Sequence, residues 1–202
     1  MTTNSWDWGE YYEKYKDAPR TRALDIAVQK FCNDRGCALD IGAGNLRDSK
    51  YLLDQGFVVV AVDPSPLSAK FAQELNNPSL TLISKIIEQY EFPKDHFSVV
   101  NAQGMMFHFL EPTFSSVIQK VKDSLKSGGV FCTEFMGERD GWNYPGTTKT
   151  ITTREQLKDH LEGFDIVFEK DVENDAVPVF AEMQGSSEPK HWHIIKIIAI
   201  KK

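Results

Sequence analysis

Two glycines followed by a carboxylate stand at a spacing that suits a bound nucleotide. Gly42 and Gly44 come directly after an apolar run. Asp63 ends the next apolar run about 20 residues later, where an acidic side chain meets ribose hydroxyls in nucleotide sites. Glycine lets a ligand approach the main chain closely, and a carboxylate accepts hydrogen bonds from two hydroxyls. These three residues therefore predict a cofactor site in the turn after the first strand.

The identity of the nucleotide depends on Arg47. The dinucleotide fingerprint G-x-G-x-x-G requires a third glycine at the position where Arg47 stands. The bulk of arginine opposes the close approach of a pyrophosphate. An oxidoreductase that uses NAD(P) or FAD is therefore the less favoured interpretation of this site.

Strands and helices alternate along most of the chain and must hold these residues in place. Apolar, β-branched runs predict seven strands, at 37–41, 57–62, 80–83, 97–102, 130–135, 164–172 and 192–200. Apolar residues at helical spacing predict helices over 21–33, 46–55, 66–75 and 153–161, and one through Val117, Val121 and Leu125 that closes at Gly128 and Gly129. Alternation of this kind indicates a parallel sheet with helices on both faces. The last two strands lack an intervening helix and should pair as an antiparallel hairpin. We therefore predict an α/β fold with a doubly wound, seven-stranded sheet, mostly parallel, with an antiparallel last strand.

Composition excludes several classes of protein. The chain has 202 residues, is 41% hydrophobic and carries a net charge of −6 without long single-sign blocks, which argues against a non-specific nucleic-acid binder. Its three cysteines lack the spacing of metal ligands, and we expect no metal site. No window approaches the run of about 18 apolar residues that indicates a membrane span. We expect a soluble cytoplasmic protein with no membrane or nucleic-acid partner.

The segment LDIGAGNLRDSKYLLDQGFVVVAVDPSP, residues 39–66, resembles the cofactor segment of class I S-adenosylmethionine-dependent methyltransferases. The likeness is greatest to the tellurite-resistance and thiopurine methyltransferase-like groups, and it extends over nearly the whole chain. It implies one methyltransferase domain over 1–202, with an N-terminal helical lid or cap at 1–35 and a Rossmann-like core at 36–202. It also implies S-adenosylmethionine as cofactor and methyl transfer to an N, O or S atom of a small molecule.

The same resemblance assigns residues to the cofactor. The predicted cofactor-binding residues are Asp40, Gly42, Ala43, Gly44, Arg47, Asp63, Pro64, Ile86, Ile87 and Asn101. Asp63 matches the ribose-binding acid, Asn101 matches a residue beneath the transferring methyl group, and Arg47 matches an arginine that faces the cofactor carboxylate. Ile86 stands where many relatives have an aspartate near the adenine amino group. Adenine recognition is then expected from apolar packing and from the backbone of Ile87.

Two further segments are predicted to form an acceptor pocket. GERDGWN follows the fifth strand and brings Arg139, Asp140 and Trp142, and KHWH opens the last strand with His191 and His193. A parallel strand ends, and an antiparallel strand begins, at the same edge of the sheet. His193 or His191 is the expected base because a pKa near about 6.5 suits proton transfer at neutral pH. Arg139 would hold an anionic group of the acceptor, and Trp142 would form an apolar wall.

Structural roles remain open for several of these residues. Arg139 with Asp140 could be a surface ion pair, and both histidines could be polar residues at a strand end. His108 is expected to serve packing or capping. The N-terminal aromatic residues Trp6, Trp8, Tyr11 and Tyr12 fit a helix packed on the domain or a lid over the cofactor. The long connection Asn174–Pro189 suggests a lid or substrate loop. A catalytically silent cofactor-binding module is the third functional alternative.

Overall fold

A single mixed sheet organises the computed structural model, which describes residues 8–16, 18–183 and 185–202. Over those residues the strands are β1 (Cys37–Ile41), β2 (Val58–Val62), β3 (Leu80–Ile83), β4 (Phe97–Ala102), β5 (Leu125–Gly137), β6 (Ile151–Thr152), β7 (Phe164–Ala176) and β8 (Lys190–Lys201). The sheet order is β3-β2-β1-β4-β5-β8-β7, and the short β6 pairs with β5 outside this path. Neighbours from β3 to β5 are parallel, whereas β8 is antiparallel to both β5 and β7. This arrangement confirms the predicted doubly wound sheet with a reversed last strand.

Helices cover both faces of the sheet. In the described ranges they are α1 (Trp8–Lys14), α2 (Arg22–Lys30), α3 (Arg47–Asp54), α4 (Pro66–Leu75), α5 (Thr113–Ser124), α6 (Arg154–His160) and α7 (Val179–Met183). Short 3-10 helices lie at Ile87–Gln89 and Met106–His108. One apolar cluster joins α2 and α3 to the sheet, and a second joins α5 and α6. Successive strand residues alternate between the two clusters, as expected for side chains that point to opposite faces.

The boundary between α5 and β5 differs from the prediction. The helix ends at Ser124, and Leu125 already pairs with Phe97 of β4. The register between these strands shifts before Val99, and Gly128 adopts a φ of +76° inside the irregular stretch. Gly128 therefore permits a bulge within a strand, because only glycine takes a positive φ at little steric cost.

The connection that precedes β8 is shorter than the sequence suggested. β7 continues to Ala176, where Asn174 pairs with Trp192 and Asp175 pairs with His191. Helix α7 then occupies part of the remaining connection. Polar residues thus extend the hairpin because the ladder with β8 pairs their backbone groups. Within the described ranges, no helix has both the length and the apolar character needed to cross a membrane.

Candidate functional site

A cavity of about 750 Å³ opens where β1, β2 and β4 end. Its lining includes the turn after β1, the residues after β2 and β4, and one side of α1; the residues are Trp8, Gly9, Tyr11, Tyr12, Tyr15, Gly42, Gly44, Asn45, Arg47, Asp63, Pro64, Ser65, Pro66, Leu67, Gln103, Gly104, Met105 and His108. Small-molecule and cofactor sites have volumes of about 300–1,000 Å³. In doubly wound sheets ligands bind at this carboxyl edge of the strands. Both its size and its place therefore suit a nucleotide-sized ligand.

The turn after β1 brings bare backbone to the cavity. Gly42 and Gly44 have φ angles of +68° and +51°, which side-chain-bearing residues rarely adopt. A Cβ atom on Gly42 would lie 2.3 Å from Cγ of Met105, and one on Gly44 would lie 2.8 Å from Cε1 of Tyr12. Both glycines are therefore required by backbone conformation and by close packing above the turn.

Asp63 lies at the centre of the cavity wall and is only 2% exposed. Its Oδ1 accepts from the Ser65 backbone N–H at 2.9 Å and from Ser68 Oγ at 2.7 Å. Its Oδ2 accepts from the Gly44 backbone N–H at 2.9 Å and from the Tyr12 hydroxyl at 3.4 Å. Burial and the neighbouring Asp63 raise the pKa of Tyr12, so its hydroxyl keeps the proton it donates. The carboxylate is thus fixed in one orientation, with a weak fourth contact that a ligand hydroxyl could replace.

A buried polar cluster underlies the turn, and of its members only Gln103 lines the cavity. Asp40 accepts from Ser49 Oγ at 2.6 Å and from Asn101 Nδ2 at 2.8 Å. Burial, together with the nearby Asp48, raises the pKa of Asp40. Asn101 Oδ1 and Gln103 Oε1 are buried and have no hydrogen-bond partner within the described part of the chain. Since unpaired buried acceptors are uncommon, the oxygen of Gln103, which lines the cavity, favours a ligand that donates hydrogen bonds.

Five of the ten predicted cofactor-binding residues line the cavity: Gly42, Gly44, Arg47, Asp63 and Pro64. Asp40, Ala43 and Asn101 lie buried next to it. Ile87 packs in the core of the α5 face, and Ile86 is 44% exposed beside it. Arg47 begins α3 and directs Nε to Asp48 Oδ1 at 3.2 Å. The cofactor roles of all ten residues stay predictions.

Helix α1 and Tyr15, the residue that follows it, form the aromatic side of the cavity. Trp8, Tyr11, Tyr12 and Tyr15 line it, while Trp6 lies outside the described residues. The spacing of these four residues, three or four apart, places them on one helical face. In the sequence, Trp8, Tyr11 and Tyr12 indicated a packed helix or a lid over the cofactor, and the same helical spacing extends to Tyr15.

His108 also lines the cavity, although the sequence indicated only packing or capping for it. Its ring lies 5.7 Å from the Trp8 ring, and its Nδ1 is 2.8 Å from Lys149 Nζ. Burial and the charge of Lys149 lower the pKa of His108 to about 4. At neutral pH the cavity therefore contains an uncharged imidazole. No local sequence pattern reveals this, because Lys149 lies in a distant loop.

The lowered pKa of His108 gives a testable pH dependence. Because the unfolded chain binds this proton more readily, stability is lost as pH falls from about 6.5 towards 4. We expect wild-type protein to lose at least about 1 kcal/mol of unfolding free energy relative to His108→Gln over this window. Urea unfolding of both proteins at pH 7 and pH 4.5 measures the difference. A constant difference between them would mean that the imidazole titrates normally.

The predicted acceptor residues form a cluster outside the cavity lining. The Arg139 backbone N–H donates to His193 Nδ1 at 3.1 Å, and its guanidinium binds Glu173 at 2.7 Å. His191 lies 2.8 Å from Asp175 and 3.2 Å from Glu173, and these carboxylates raise its pKa. The structure therefore brings Arg139, His191 and His193 together, but none of them lines the cavity. Their role in acceptor binding or proton transfer stays a prediction.

Asp140 and Trp142 have structural contacts in the same region. Asp140 accepts from the backbone N–H groups of Trp142 at 2.9 Å and His193 at 3.0 Å, and it pairs with Lys190 Nζ. The Lys190 ammonium lies over the rings of Trp142 and Trp192. Asp140 therefore ties the loop after β5 to the start of β8. Among the residues that the structure describes, no group of histidine, cysteine and carboxylate side chains could hold a metal ion.

Known proteins resemble this chain in two respects, a methyltransferase-domain sequence pattern and the fold. Residues 38–129 match a family model described as a methyltransferase domain. No curated protein matches the chain. TehB from Haemophilus influenzae has 17% identity and a TM-score of 0.70, covering 96% of this chain and 67% of that chain.

Two other solved structures share the fold. A Burkholderia thailandensis 1,6-didemethyltoxoflavin-N1-methyltransferase, solved with 1,6-didemethyltoxoflavin and S-adenosylhomocysteine, has 19% identity and a TM-score of 0.66, covering 96% of this chain and 87% of that chain. The cyclase SpnF has 18% identity and a TM-score of 0.66, covering 89% of this chain and 80% of that chain. The sequence pattern of a methyltransferase domain thus coincides with the part of this fold that contains β1–β4, and three of these strands, β1, β2 and β4, end at the cavity.

Proposed function

We propose that this protein is an S-adenosylmethionine-dependent methyltransferase acting on an N, O or S atom of a small molecule. The observation that carries the proposal is the turn at Gly42 and Gly44, which is hydrogen-bonded to the fixed carboxylate of Asp63 in the wall of one cavity. The family match over residues 38–129 supports it, and the methyltransferases among the solved structures share its fold. We also propose, from the resemblance in sequence, a place near the tellurite-resistance and thiopurine methyltransferase-like groups.

The residues present fit the proposed cofactor. Asp63 would bind the two ribose hydroxyls, one of them in place of the weakly held Tyr12 hydroxyl. The backbone of Gly42 and Gly44 would contact the methionine part, and the unpaired Oε1 of Gln103 would accept from its amino group. Arg47 would face its carboxylate. When bound, the cofactor supplies an electrophilic methyl group on a sulfonium, so the protein must align the acceptor and exclude water.

We extend the proposal to the organisation of the chain. Residues 1–202 would form one domain, in which the segment 1–35 covers a Rossmann-like core at 36–202. The place of α1 on the cavity wall supports the covering role. Arg139, His191 and His193 remain candidates for the acceptor site, provided that the acceptor extends beyond the cavity to the start of β8.

Calorimetry with S-adenosylhomocysteine and NAD tests the cofactor. We expect S-adenosylhomocysteine to bind with a Kd at least about 100-fold lower than that of NAD, a difference of about 2.8 kcal/mol. Arg47 stands where a pyrophosphate would need a third glycine, which is the reason for the difference. The reverse preference would support the oxidoreductase alternative and refute this proposal.

Turnover separates an enzyme from a silent cofactor-binding module. A screen of small-molecule acceptors with labelled S-adenosylmethionine should detect transfer of the labelled methyl group to at least one acceptor. SpnF, a cyclase on the same fold, shows why this second measurement is needed. Cofactor binding with no transfer to any acceptor would favour the silent module.

A further inference from the structure

Lys149 is a half-buried cation next to the cavity. Its Nζ contacts His108 Nδ1 at 2.8 Å and lies 5.5 Å from the centre of the Trp142 ring. Within the described residues, no carboxylate forms an ion pair with it. Burial lowers its pKa, as expected for a cation removed from water without a counter-charge. Such a position is costly unless something anionic approaches it.

The contact between these residues determines which way the imidazole faces. A protonated lysine only donates hydrogen bonds, so Nδ1 of His108 must accept from Lys149. The proton of the neutral ring then lies on Nε2. His108 consequently offers a hydrogen-bond donor whose polarity is increased by the ammonium behind it.

The backbone holds this pair in place. The Thr150 backbone N–H donates to the Phe107 carbonyl at 3.0 Å, and the Thr150 hydroxyl donates to the Phe109 carbonyl. These bonds join the residues on either side of His108 to the residue after Lys149. The hydrogen bonds of Thr150 therefore fix the segments that carry His108 and Lys149, and with them the position of the His108 donor.

The surroundings of His108 restrict what can accept from it. Trp8 meets the His108 ring edge to face, and Tyr11 and Tyr15 extend the same aromatic wall. Asp63 is the only carboxylate among the described residues that line the cavity, and it is hydrogen-bonded to Gly44 and Ser68 of the proposed cofactor site. The region near His108 thus combines flat apolar surfaces with a positive potential.

We propose that the methyl acceptor is a planar ring compound bearing an anionic oxygen, which binds Nε2–H of His108 with Lys149 as the counter-charge. This inference rests on the proposed function and adds the chemical class of the acceptor. Carboxylate and ring-bound oxyanions share the required charge and accepting geometry. The aromatic residues of α1 would stack on the ring, and His108 and Lys149 would select the charged form over a neutral one.

Matched pairs of anionic and neutral ring compounds test this proposal. Benzoate and nicotinate are compared with benzamide and nicotinamide, by ligand-observed NMR on protein saturated with S-adenosylhomocysteine. We expect each carboxylate to bind at least 10-fold more tightly than its amide. Lys149→Met should reduce this ratio to about 1, while Lys122→Met, at the far end of α5, should keep it. His108→Phe keeps an aromatic ring and Lys149 but removes the Nε2–H donor, so it should reduce the preference and carries the test if Lys149→Met does not fold.

The two levels of the proposal fail in different ways. If S-adenosylhomocysteine does not bind, the proposed function and the inference both fail. If it binds, but wild-type protein shows no preference for the carboxylates, only the inference is overturned. A preference that is undiminished in folded Lys149→Met or His108→Phe protein would also overturn it.

Discussion

Asp63→Ala is expected to raise the Kd for S-adenosylhomocysteine on the order of 100-fold, with most of the loss coming from the ribose. Hydrogen bonds to charged groups contribute about 1.5–3 kcal/mol each, and alanine removes the acceptor for two hydroxyls. The substitution also leaves the Gly44 and Ser65 backbone N–H groups without the acceptor that orients the turn. Calorimetry with S-adenosylhomocysteine measures the change in Kd.

Two companion variants locate the origin of this effect. Asp54→Ala removes an exposed carboxylate at the end of α3 and should leave the Kd unchanged. Asp63→Asn keeps the shape and one accepting oxygen, so its Kd should fall between those of wild-type protein and Asp63→Ala. If Asp63→Ala folds and binds like wild type, the cofactor site lies elsewhere.

Gly42→Ala is expected to weaken cofactor binding by at least about 100-fold, or about 3 kcal/mol, through overpacking of the turn. The new Cβ would lie 2.3 Å from Met105 Cγ, so the methionine side chain must move. Met105 lines the cavity, so we expect its displaced side chain to occupy space that a cofactor would need. The positive φ adds about 1–2 kcal/mol of backbone strain, which lowers stability as well.

Gly56→Ala is the matched control for backbone strain. Gly56 has a φ of +88° but no atom within 4 Å of an added Cβ. Thermal unfolding should therefore show a loss of stability in both variants, larger in Gly42→Ala because of the added clash, while calorimetry shows a loss of binding only in Gly42→Ala. Equal binding by the two variants would mean that no ligand approaches the turn at Gly42. The double variant Gly42→Ala/Met105→Ala removes the displaced side chain and should therefore recover part of the lost binding.

Elements controlled by local chemistry could be predicted from the sequence. Ser65 caps the helix that begins at Pro66, with its Oγ accepting from the Leu67 N–H, and α4 has the predicted bounds. Strands β3 and β4 also have the predicted bounds because their apolar runs are closed by polar or turn residues. The mixed sheet follows from the order of the elements, which requires no knowledge of distant contacts.

Elements controlled by distant partners could not be predicted. Leu125 continues the apolar spacing of α5, but its pairing with Phe97 makes it the first residue of a strand. Glu173 and Asp175 look like loop residues until the ladder with β8 pairs their backbone. The periodicity of the sequence does not reflect the free energy of such strand pairings. At both places this free energy outweighs the local preference of the chain.

The site shows the same division. The spacing of Gly42, Gly44 and Asp63 can be read within one short stretch of sequence. It predicted a shared site, and all three residues line one cavity. The approach of Lys149 to His108 joins parts of the chain that only the folded sheet brings together. The direction of a strand predicts which edge of the sheet its last residues reach. It does not predict which side chains those residues contact. His193 is 3% exposed because its ring packs against Gly137 instead of turning towards the cavity.

The position of β8 inside the sheet affects the order in which the protein can assemble. β8 follows β7 in the chain but lies between β5 and β7, so both strands need it as a partner. During synthesis, β5 therefore keeps an unpaired apolar edge until residues 190–201 have left the ribosome. An open edge of this kind pairs readily with another chain. The interval before β8 docks is thus the stage at which the nascent protein is most exposed to aggregation.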